Sequence, residues 1–258
     1  MSKKRTLLRT YDIILCLIIF CILVVPVSLL IVFKLAMDGF PLFYNSTRIG
    51  KNRKAFTVYK FRSMVNDRNV IDTYLSSIRS YGFEKIPLSA IVYTKIGRIF
   101  EKFQIVEVLQ IFNVLEGNMS LIGYRPLPIS RVMQLEEELG VKAIETRHSV
   151  KPGITGISQI VGKATLSNRD RVILENNYNL MVHNQPQLKV IYYNTLIIFE
   201  TVGQIFFKRN FFIKSIIAKI NSTHIAMATD DNRDYVPTYT PQRIARNFRS
   251  KSRSRIAS

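Results

Sequence analysis

The longest hydrophobic feature of the chain is an apolar stretch from Ile13 to Phe33 that contains no charged residue. It is long enough to cross a bilayer, which takes about 20 residues. It exceeds the apolar core of a cleavable signal, about 7–15 residues, and no small-residue cleavage site follows it before Lys34. Pro26 lies inside the stretch, where a proline removes a helical hydrogen bond and favours a kink.

Basic residues flank this stretch on both sides. Lys3, Lys4, Arg5 and Arg9 precede it, and Lys34, Arg48, Lys51, Arg53 and Lys54 follow it. A single span places only one of its flanks in the cytoplasm, where basic residues accumulate. We therefore expect a re-entrant membrane helix, broken at Pro26, that dips into the bilayer and returns. One kinked transmembrane helix is the alternative.

The pattern that follows predicts short strands and several helices. Turn formers and then alternating apolar residues between Asp38 and Met64 predict a loop and a strand or hairpin. Residues 65–93 have a weak, partly helical pattern that is typical of a variable connection. Apolar residues at helical spacing predict one helix that ends at Leu115 and is closed by Gly117. The fold class predicted is mixed, helix-rich α/β.

A second apolar stretch runs from Val190 to Phe207 and contains Asn194, Glu200 and Gln204. These polar residues favour an interfacial amphipathic helix over a second span. After Ile220 the chain lacks core-forming runs and ends in a basic segment, which is typical of a disordered tail. The expected organisation is a membrane helix over residues 1–36, a cytoplasmic domain with membrane-surface helices over 37–220, and a tail over 221–258.

Composition adds a strongly positive charge. The 258 residues include 37 Lys and Arg against 18 Asp and Glu, a formal net charge of +19. Such a charge implies a polyanionic partner, namely anionic lipid, a phosphorylated ligand or nucleic acid. The aromatic and basic interleaving of single-strand readers is absent, so nucleic acid is the least favoured of the three. Both cysteines, Cys16 and Cys21, lie in the apolar stretch and indicate neither a disulfide framework nor a metal site.

Four blocks of sequence together resemble the bacterial sugar transferase family, the monotopic phosphoglycosyl transferases. They are RTYDIILCLIIF and a later proline at Arg9–Pro26, FTVYKFRSM at Phe56–Met64, TKIGRIF to LIGYRP at Thr94–Pro126, and KPGITGISQ at Lys151–Gln159. Their order and spacing are far more specific than one short motif. The resemblance implies a re-entrant membrane helix, a cytoplasmic α/β domain and helices that lie on the membrane surface.

The resemblance also implies a chemistry. In the family an aspartate attacks the phosphate of a nucleotide-sugar, an adjacent glutamate and Mg²⁺ assist, and the sugar phosphate passes to polyprenol phosphate. Carboxylates serve as oxygen nucleophiles and as hard ligands for magnesium. In this chain Glu107 keeps the glutamate position, but Val106 replaces the aspartate. Valine offers no lone pair with which to attack phosphorus.

Nearby positions depart from the family pattern as well. Glu101 stands where the family has an arginine that faces phosphate, and Asn194 stands where a late helix has an aspartate. On one unbroken helix with about 100° per residue, Glu101 and Glu107 would lie some 240° apart. We therefore expect that Glu101 does not join Glu107 at one phosphate.

We accordingly expect a degenerate sugar-1-phosphate transferase homologue that binds rather than transfers, on the cytoplasmic face of a bacterial inner membrane. Membrane lipids, polyprenol phosphate and a nucleotide-sugar are the expected partners, and assembly with itself or with a family member stays open. The alternative is an active transferase that uses Glu107, with Mg²⁺ as cofactor and Glu107 as a weak metal ligand. A membrane-tethered nucleic-acid binder is the second alternative. The phosphate-binding candidates, by resemblance and by charge, are Lys60, Arg62, Arg98, Arg125, Pro126, Gly153, Thr155 and Gly156.

Overall fold

The computed structural model describes residues 6–77, 86–162, 166–207 and 211–228. Its helices are α1 (Thr6–Asp38), α2 (Arg68–Ser77), α3 (Lys95–Lys102), α4 (Gln110–Glu116), α5 (Ile129–Leu139), α6 (Val141–Arg147), α7 (Ile157–Gly162), α8 (Asn168–Asn184), α9 (Gln187–Phe206) and α10 (Ile213–Ala228). Its strands are β1 (Phe43–Ile49), β2 (Ala55–Phe61), β3 (Ser120–Ile122) and β4 (Gly153–Thr155). The prediction of a mixed, helix-rich α/β fold is confirmed.

The strands form two small sheets. β1 and β2 are an antiparallel hairpin whose register runs from Phe43 opposite Phe61 to Ile49 opposite Ala55. This is the hairpin predicted between Asp38 and Met64. β3 and β4 pair in parallel, and α5 and α6 lie between them in the chain. β2 of the first sheet and β3 of the second both pack against α4.

Helix α1 contains the apolar stretch predicted from the sequence. Within the described ranges it is the one helix long and apolar enough to cross a membrane. Pro26 lies inside it without ending it, so the predicted break at this residue is wrong. A long helix accommodates the loss of the one backbone hydrogen bond that Pro26 does not donate to the carbonyl oxygen of Ile22.

Both ends of α1 are bonded to the same domain. Near its start, Arg9 donates to the carbonyl oxygen of Leu115 at 2.8 Å, and Asp12 accepts from the Ser120 hydroxyl at 2.8 Å. At its end, Asp38 accepts from the Thr94 hydroxyl at 2.7 Å. Most apolar side chains between these ends are exposed: Ile14, Leu17, Ile18, Ile22, Val25, Leu29, Val32 and Phe33. One side of the helix, with Leu15, Cys16, Ile19, Val27, Leu30 and Ile31, packs on the domain along its length, and the other side presents an apolar surface.

The single helix predicted up to Leu115 is divided into three parts. α3 ends at Lys102, Gln104 adopts a left-handed conformation with φ of 60°, a 3₁₀ turn follows at Ile105–Glu107, and only then does α4 begin. Gly117, with φ of 89°, ends α4 where the sequence predicted. Because the backbone reverses its hand at Gln104, the helical angle between Glu101 and Glu107 expected from the sequence does not apply.

Helix α9 covers the second apolar stretch with its polar residues turned inward. Asn194 and Glu200 are buried, whereas Tyr192, Phe199 and Phe206 are each more than half exposed. The buried Glu200 carboxylate accepts hydrogen bonds from the backbone N–H groups of Phe211 and Phe212 just before α10. α10 extends to Ala228, so the tail boundary predicted at residue 221 lies within a helix. The rest of the predicted tail lies outside the described residues.

The largest apolar cluster holds these helices together. It contains Val114 of α4, Ile122 of β3, Leu174 of α8, Ile197 of α9 and Ile217 of α10, all of which are at most 2 % exposed. A second cluster joins β2, α3 and the 3₁₀ turn. Burying such side chains is the main stabilising contribution to the fold.

Candidate functional site

Glu107, on the 3₁₀ turn before α4, is held by two cations. Arg125, which follows β3, donates from Nη2 to Glu107 Oε1 at 2.7 Å and from Nη1 to Oε2 at 3.3 Å. The Nζ atom of Lys60, on β2, lies 3.7 Å from Glu107 Oε1. The Glu107 side chain is only 13 % exposed. A two-pronged arginine–carboxylate contact of this kind is stronger and more directional than a single hydrogen bond.

Beside this pair lies a small cleft of about 80 Å³. Its lining residues come from β1, β2, α4 and the segment after β3: Arg48, Val58, Lys60, Gln110, Arg125, Pro126 and Leu127. Three of the sequence-predicted phosphate ligands, Lys60, Arg125 and Pro126, therefore meet here. Arg48 joins them and was missing from the predicted set. Arg48 lies one residue before the end of β1, the strand that pairs with β2. This position beside the strand of Lys60 was the sequence signal that could have identified it.

Three cations share the cleft, and their charges influence one another. Burial lowers the pKa of Lys60, and the nearby Arg125 and Arg48 lower it further against the opposing effect of Glu107. Burial and then the charge of Arg125 lower the pKa of Arg48. The charge of Glu107 raises the pKa of Arg125 despite its burial. The charge of Glu107 is therefore mainly paired with that of Arg125. The cleft keeps an excess of positive charge, which suits the binding of an anion.

Glu101 acts on the same cations. It raises the pKa of both Lys60 and Arg125, and its carboxylate accepts a hydrogen bond from the Ser63 hydroxyl at 3.0 Å. The helical angle that separated Glu101 from Glu107 in the sequence analysis assumed one unbroken helix, so that argument does not apply, although Glu101 is bonded to Ser63. The left-handed residue Gln104 redirects the chain between the two glutamates.

Val106 lies in the core. It is 5 % exposed and belongs to an apolar cluster with Phe61, Ile96 and Phe100. Val27, Leu30 and Ile31 of α1 pack against the same cluster. The side chain at the position of the family nucleophile therefore stabilises the contact between α1 and the domain. The next residue, Glu107, contacts Arg125 and Lys60 instead.

The structure places two predicted phosphate ligands outside the cleft lining. Arg62 is buried and donates to backbone carbonyl oxygens at the end of α1, among them those of Asp38 at 2.9 Å and Gly39 at 3.0 Å. These contacts give Arg62 a structural role, since they satisfy carbonyls that α1 leaves unpaired. Arg98 is exposed on α3 and does not line the cleft.

The segment KPGITGISQ, Lys151–Gln159, packs against the protein backbone. A Cβ atom on Gly153 would lie 2.1 Å from the Gly123 nitrogen, and one on Gly156 would lie 2.0 Å from the Gly123 oxygen. Glycine is therefore required for β4 to approach this backbone. The Thr155 hydroxyl shares a hydrogen bond of 2.8 Å with the hydroxyl of Thr201. Gly153, Thr155 and Gly156 do not line the cleft. Gly153 supports it indirectly, because its N–H donates to the carbonyl oxygen of Tyr124, the residue before Arg125.

A buried ion pair also positions Arg125. Arg147 donates from Nη2 to the Arg125 carbonyl oxygen at 2.7 Å and from Nε to Glu175 at 2.6 Å. The Ser158 hydroxyl donates to the other Glu175 oxygen at 2.6 Å. Arg147 and Glu175 are almost completely buried, with 0 % and 1 % of their side chains exposed. Sequence reasoning missed this network, because its partners are 17 to 28 residues apart and follow no motif.

A magnesium ion on Glu107 would have to replace the contacts of this carboxylate with Arg125. Mg²⁺ prefers six oxygen ligands, usually one or two carboxylates together with substrate phosphates and water. In the described part of the chain, no three His, Cys, Asp or Glu side chains are close enough to hold a metal ion. Both Glu107 oxygens are engaged by Arg125, and Glu101 is hydrogen-bonded to Ser63.

The chain thus combines a β-hairpin, a helix-rich α/β domain with a cleft lined by three cations, and one long apolar helix. Residues 3–208 match the model of the bacterial sugar transferase family, and the chain belongs to that family. It is 32 % identical over 185 residues to an undecaprenyl-phosphate galactose phosphotransferase of Salmonella typhimurium, covering 68 % of this chain and 37 % of that protein.

Two further relatives match the chain at similar identity. The chain is 34 % identical over 195 residues to an undecaprenyl-phosphate glucose phosphotransferase of Komagataeibacter xylinus, with 72 % of this chain and 34 % of that protein covered. It is 36 % identical over 144 residues to an uncharacterized sugar transferase, EpsL, of Bacillus subtilis, with 54 % of this chain and 63 % of that protein covered. The chain thus spans between about a third and two thirds of the length of these relatives.

Proposed function

We propose that this chain is a sugar transferase homologue that binds a phosphorylated ligand of polyprenol-linked polysaccharide assembly without transferring a sugar phosphate. The observation that carries the proposal is the position of Val106. The family chemistry, as the resemblance implies it, needs a carboxylate nucleophile there. Instead an aliphatic side chain, 5 % exposed, packs against Phe61, Ile96 and Phe100.

The state of Glu107 supports the same proposal. A nucleophile or a metal ligand must present a lone pair to the substrate. The two Glu107 oxygens already accept from Arg125, and Lys60 lies close to one of them. An active transferase that uses Glu107 alone would have to break these contacts in every turnover, which makes it the less favoured alternative.

Ligand binding is supported by the cleft that Arg48, Lys60 and Arg125 line. The arginine fork suits a phosphate group, and a lysine adds a point charge. Relatives of this chain are named for undecaprenyl phosphate and for nucleotide-sugars, including a UDP-galactose-lipid carrier transferase of Erwinia amylovora. We therefore propose a nucleotide-sugar or a polyprenol phosphate as the ligand.

The proposed location is the cytoplasmic face of a bacterial inner membrane. α1 exposes apolar side chains along its middle, while Arg9 near its start and Asp38 at its end are bonded to the same domain. Exposed aromatic residues of α9, such as Phe199 and Phe206, add a second apolar surface. This arrangement supports a helix that enters one leaflet and a domain that stays on one side, with α9 at the interface.

The test measures two quantities for the purified chain in lipid nanodiscs: ligand binding, and the release of nucleotide from a nucleotide-sugar. A panel of nucleotide-sugars is incubated with polyprenol phosphate and Mg²⁺, and the Salmonella galactose phosphotransferase serves as the positive control. The expected result is binding of a nucleotide-sugar or polyprenol phosphate without release above background. Turnover by the wild-type chain that is lost in Glu107→Ala would contradict the proposal and make Glu107 the active group.

A further inference from the structure

We infer that Glu107 is an internal competitor for the anion site: its carboxylate occupies the position at which Arg125 and Lys60 would hold a phosphate, and a ligand must displace it. This inference rests on the proposed function, since it concerns the regulation of the same cleft. It reverses the role that the family resemblance gives to this glutamate, because here the residue opposes binding.

The contact geometry supports this competition. The two Arg125 nitrogens reach the two Glu107 oxygens at 2.7 and 3.3 Å, which is the fork-to-fork arrangement that arginine also makes with phosphate. Lys60 approaches one of the same oxygens at 3.7 Å. A phosphate bound by this fork would need the donor hydrogens that Glu107 now uses, so both anions cannot occupy them together.

The charges around the cleft indicate how strong the competition is. Arg48, Lys60 and Arg125 supply three positive charges, and Glu107 and Glu101 oppose them. Glu107 is the carboxylate in direct contact with two of the cations, whereas Glu101 is bonded to Ser63. Neutralising Glu107 therefore raises the positive potential in the cleft more than neutralising any exposed glutamate does.

Val106 fixes the competitor in place. Its side chain is buried, and the 3₁₀ turn closes with the hydrogen bonds from Glu107 N to Gln104 O and from Val108 N to Ile105 O, each 3.1 Å long. The backbone at Glu107 is therefore held, and displacement requires only rotation of the Glu107 side chain. Replacing its carboxylate by a neutral group should leave the turn intact.

The experiment measures inorganic pyrophosphate binding by isothermal titration calorimetry. The full chain is placed in nanodiscs of zwitterionic lipid, so that anionic headgroups do not compete with the probe. Glu107→Gln keeps one oxygen acceptor for Arg125 and removes the charge, and Glu107→Ala removes the charge and the acceptor. Glu137→Gln, at an exposed position of α5, is the matched control for the loss of one negative charge.

We expect Glu107→Gln to bind pyrophosphate about tenfold more tightly than the wild type, the order of effect of one charge removed beside a partly buried anion. Glu107→Ala should also bind more tightly, and Glu137→Gln should bind like the wild type. If Glu107→Gln has a lowered melting temperature, Glu107→Ala decides the question, because its prediction has the same sign.

The outcomes separate this inference from the proposed function. Equal or weaker binding by both Glu107 variants, with binding by the wild type, overturns the inference and leaves the proposed function standing. Binding by the variants alone supports the inference and contradicts ligand binding by the resting wild type. Failure of every protein to bind overturns both. Sugar-phosphate transfer by the wild type overturns the proposed function whatever the pyrophosphate affinities are.

Discussion

The Thr94 hydroxyl donates a hydrogen bond to Asp38 Oδ2 at 2.7 Å and accepts one from the N–H of Gly97 at 2.8 Å. It thereby caps the N-terminus of α3 and binds that helix to the last residue of α1. Asp38 also pairs with the buried Lys34 at 2.6 Å. The Thr94 side chain thus joins α1 to α3, the helix that precedes Val106 in the chain.

Removing this hydroxyl should loosen both connections. We expect Thr94→Ala to lower the free energy of unfolding by about 1–2 kcal/mol, because an N-cap residue alone contributes about 1 kcal/mol and the Asp38 carboxylate also loses a donor. Thr94→Ser, which keeps the hydroxyl, is the matched control and should stay close to the wild type. The melting temperature of the protein in detergent measures the difference. Equal losses in the two variants would show that the methyl group matters and the hydroxyl does not.

His148 should make stability depend on pH. Burial, and then the charge of Arg147, lowers the pKa of His148 from 6.5 to about 4 in the folded protein. The unfolded chain therefore binds a proton at a higher pH than the folded chain does. Stability is fully present above about pH 6.5 and falls as the pH drops toward 4, by about 2–3 kcal/mol in all.

The variant His148→Gln isolates this effect from the titration of carboxylates. Glutamine does not titrate, so the fall in melting temperature between pH 7 and pH 4 should be smaller than in the wild type. His183→Gln, at an exposed position, should keep the wild-type dependence. An unchanged pH dependence in His148→Gln would mean that His148 is not the group responsible.

The contacts at the two ends of α1 predict the topology. Thr6 begins the helix, and Arg9 and Asp12 bind the domain within the next two turns. A cysteine at Thr6 should therefore be inaccessible to a membrane-impermeant reagent in intact cells and should be labelled after lysis.

The labelling experiment requires a background without the native cysteines, Cys16→Ala with Cys21→Ser. Lys54→Cys, on the exposed turn of the hairpin, is the reference for the side on which the domain lies. Labelling of Thr6→Cys but not of Lys54→Cys from outside the cell would establish a spanning helix and contradict the proposed arrangement.

The elements predicted with most success were those with a regular pattern or a turn signal. The apolar stretch, the hairpin and the end of a helix at Gly117 all follow from local sequence. The interruption at Gln104 does not, because the apolar spacing continues across it and glutamine gives no sign of a left-handed conformation. The continuity of α1 at Pro26 was also missed, since proline weakens a helix locally while the contacts at both ends are distant in sequence.

The site was predicted in part for the same reason. Lys60, Glu107 and Arg125 lie in blocks that resemble the family, so motif and charge were enough to select them. Arg62 carries the same charge within one of those blocks, yet its contacts are with carbonyl oxygens at the end of α1. The role of a cation in such a block depends on which chain segment folds over it, and one sequence does not contain that information.

The direction of α9 shows a related limit. Its pattern correctly indicated a helix, but periodicity does not decide which face is buried. Asn194 accepts from the Tyr178 hydroxyl at 2.8 Å, and Glu200 accepts from the backbone before α10, so the polar face points inward. These partners come from α8 and from the two residues before α10, which lie beyond the family match at residue 208.

The core position of Val106 predicts that restoring the family aspartate carries a cost. Val106→Asp places a carboxylate among Phe61, Ile96 and Phe100. We expect a loss of about 3 kcal/mol or more in the free energy of unfolding, the order seen when a charge is buried without a partner. Val106→Ala loses packing alone, so a larger loss for Val106→Asp measures the cost of the charge. Thermal melting in detergent gives both values.

The same variant should recover little transfer activity. Val106→Asp restores the carboxylate next to Glu107 in the sequence, but at a position that packs in the apolar cluster, and Glu101 still acts with its negative charge on Lys60 and Arg125, where a substrate phosphate would bind. Glu101→Arg replaces that repulsion by attraction, so the double variant should release more nucleotide from a nucleotide-sugar than either single variant does. Glu137→Arg, with Val106→Asp, is the control for the same change of charge at a remote exposed position. Full transfer by a stably folded Val106→Asp protein would mean that the loss of the aspartate alone explains inactivity, and that Glu101 has no part in it.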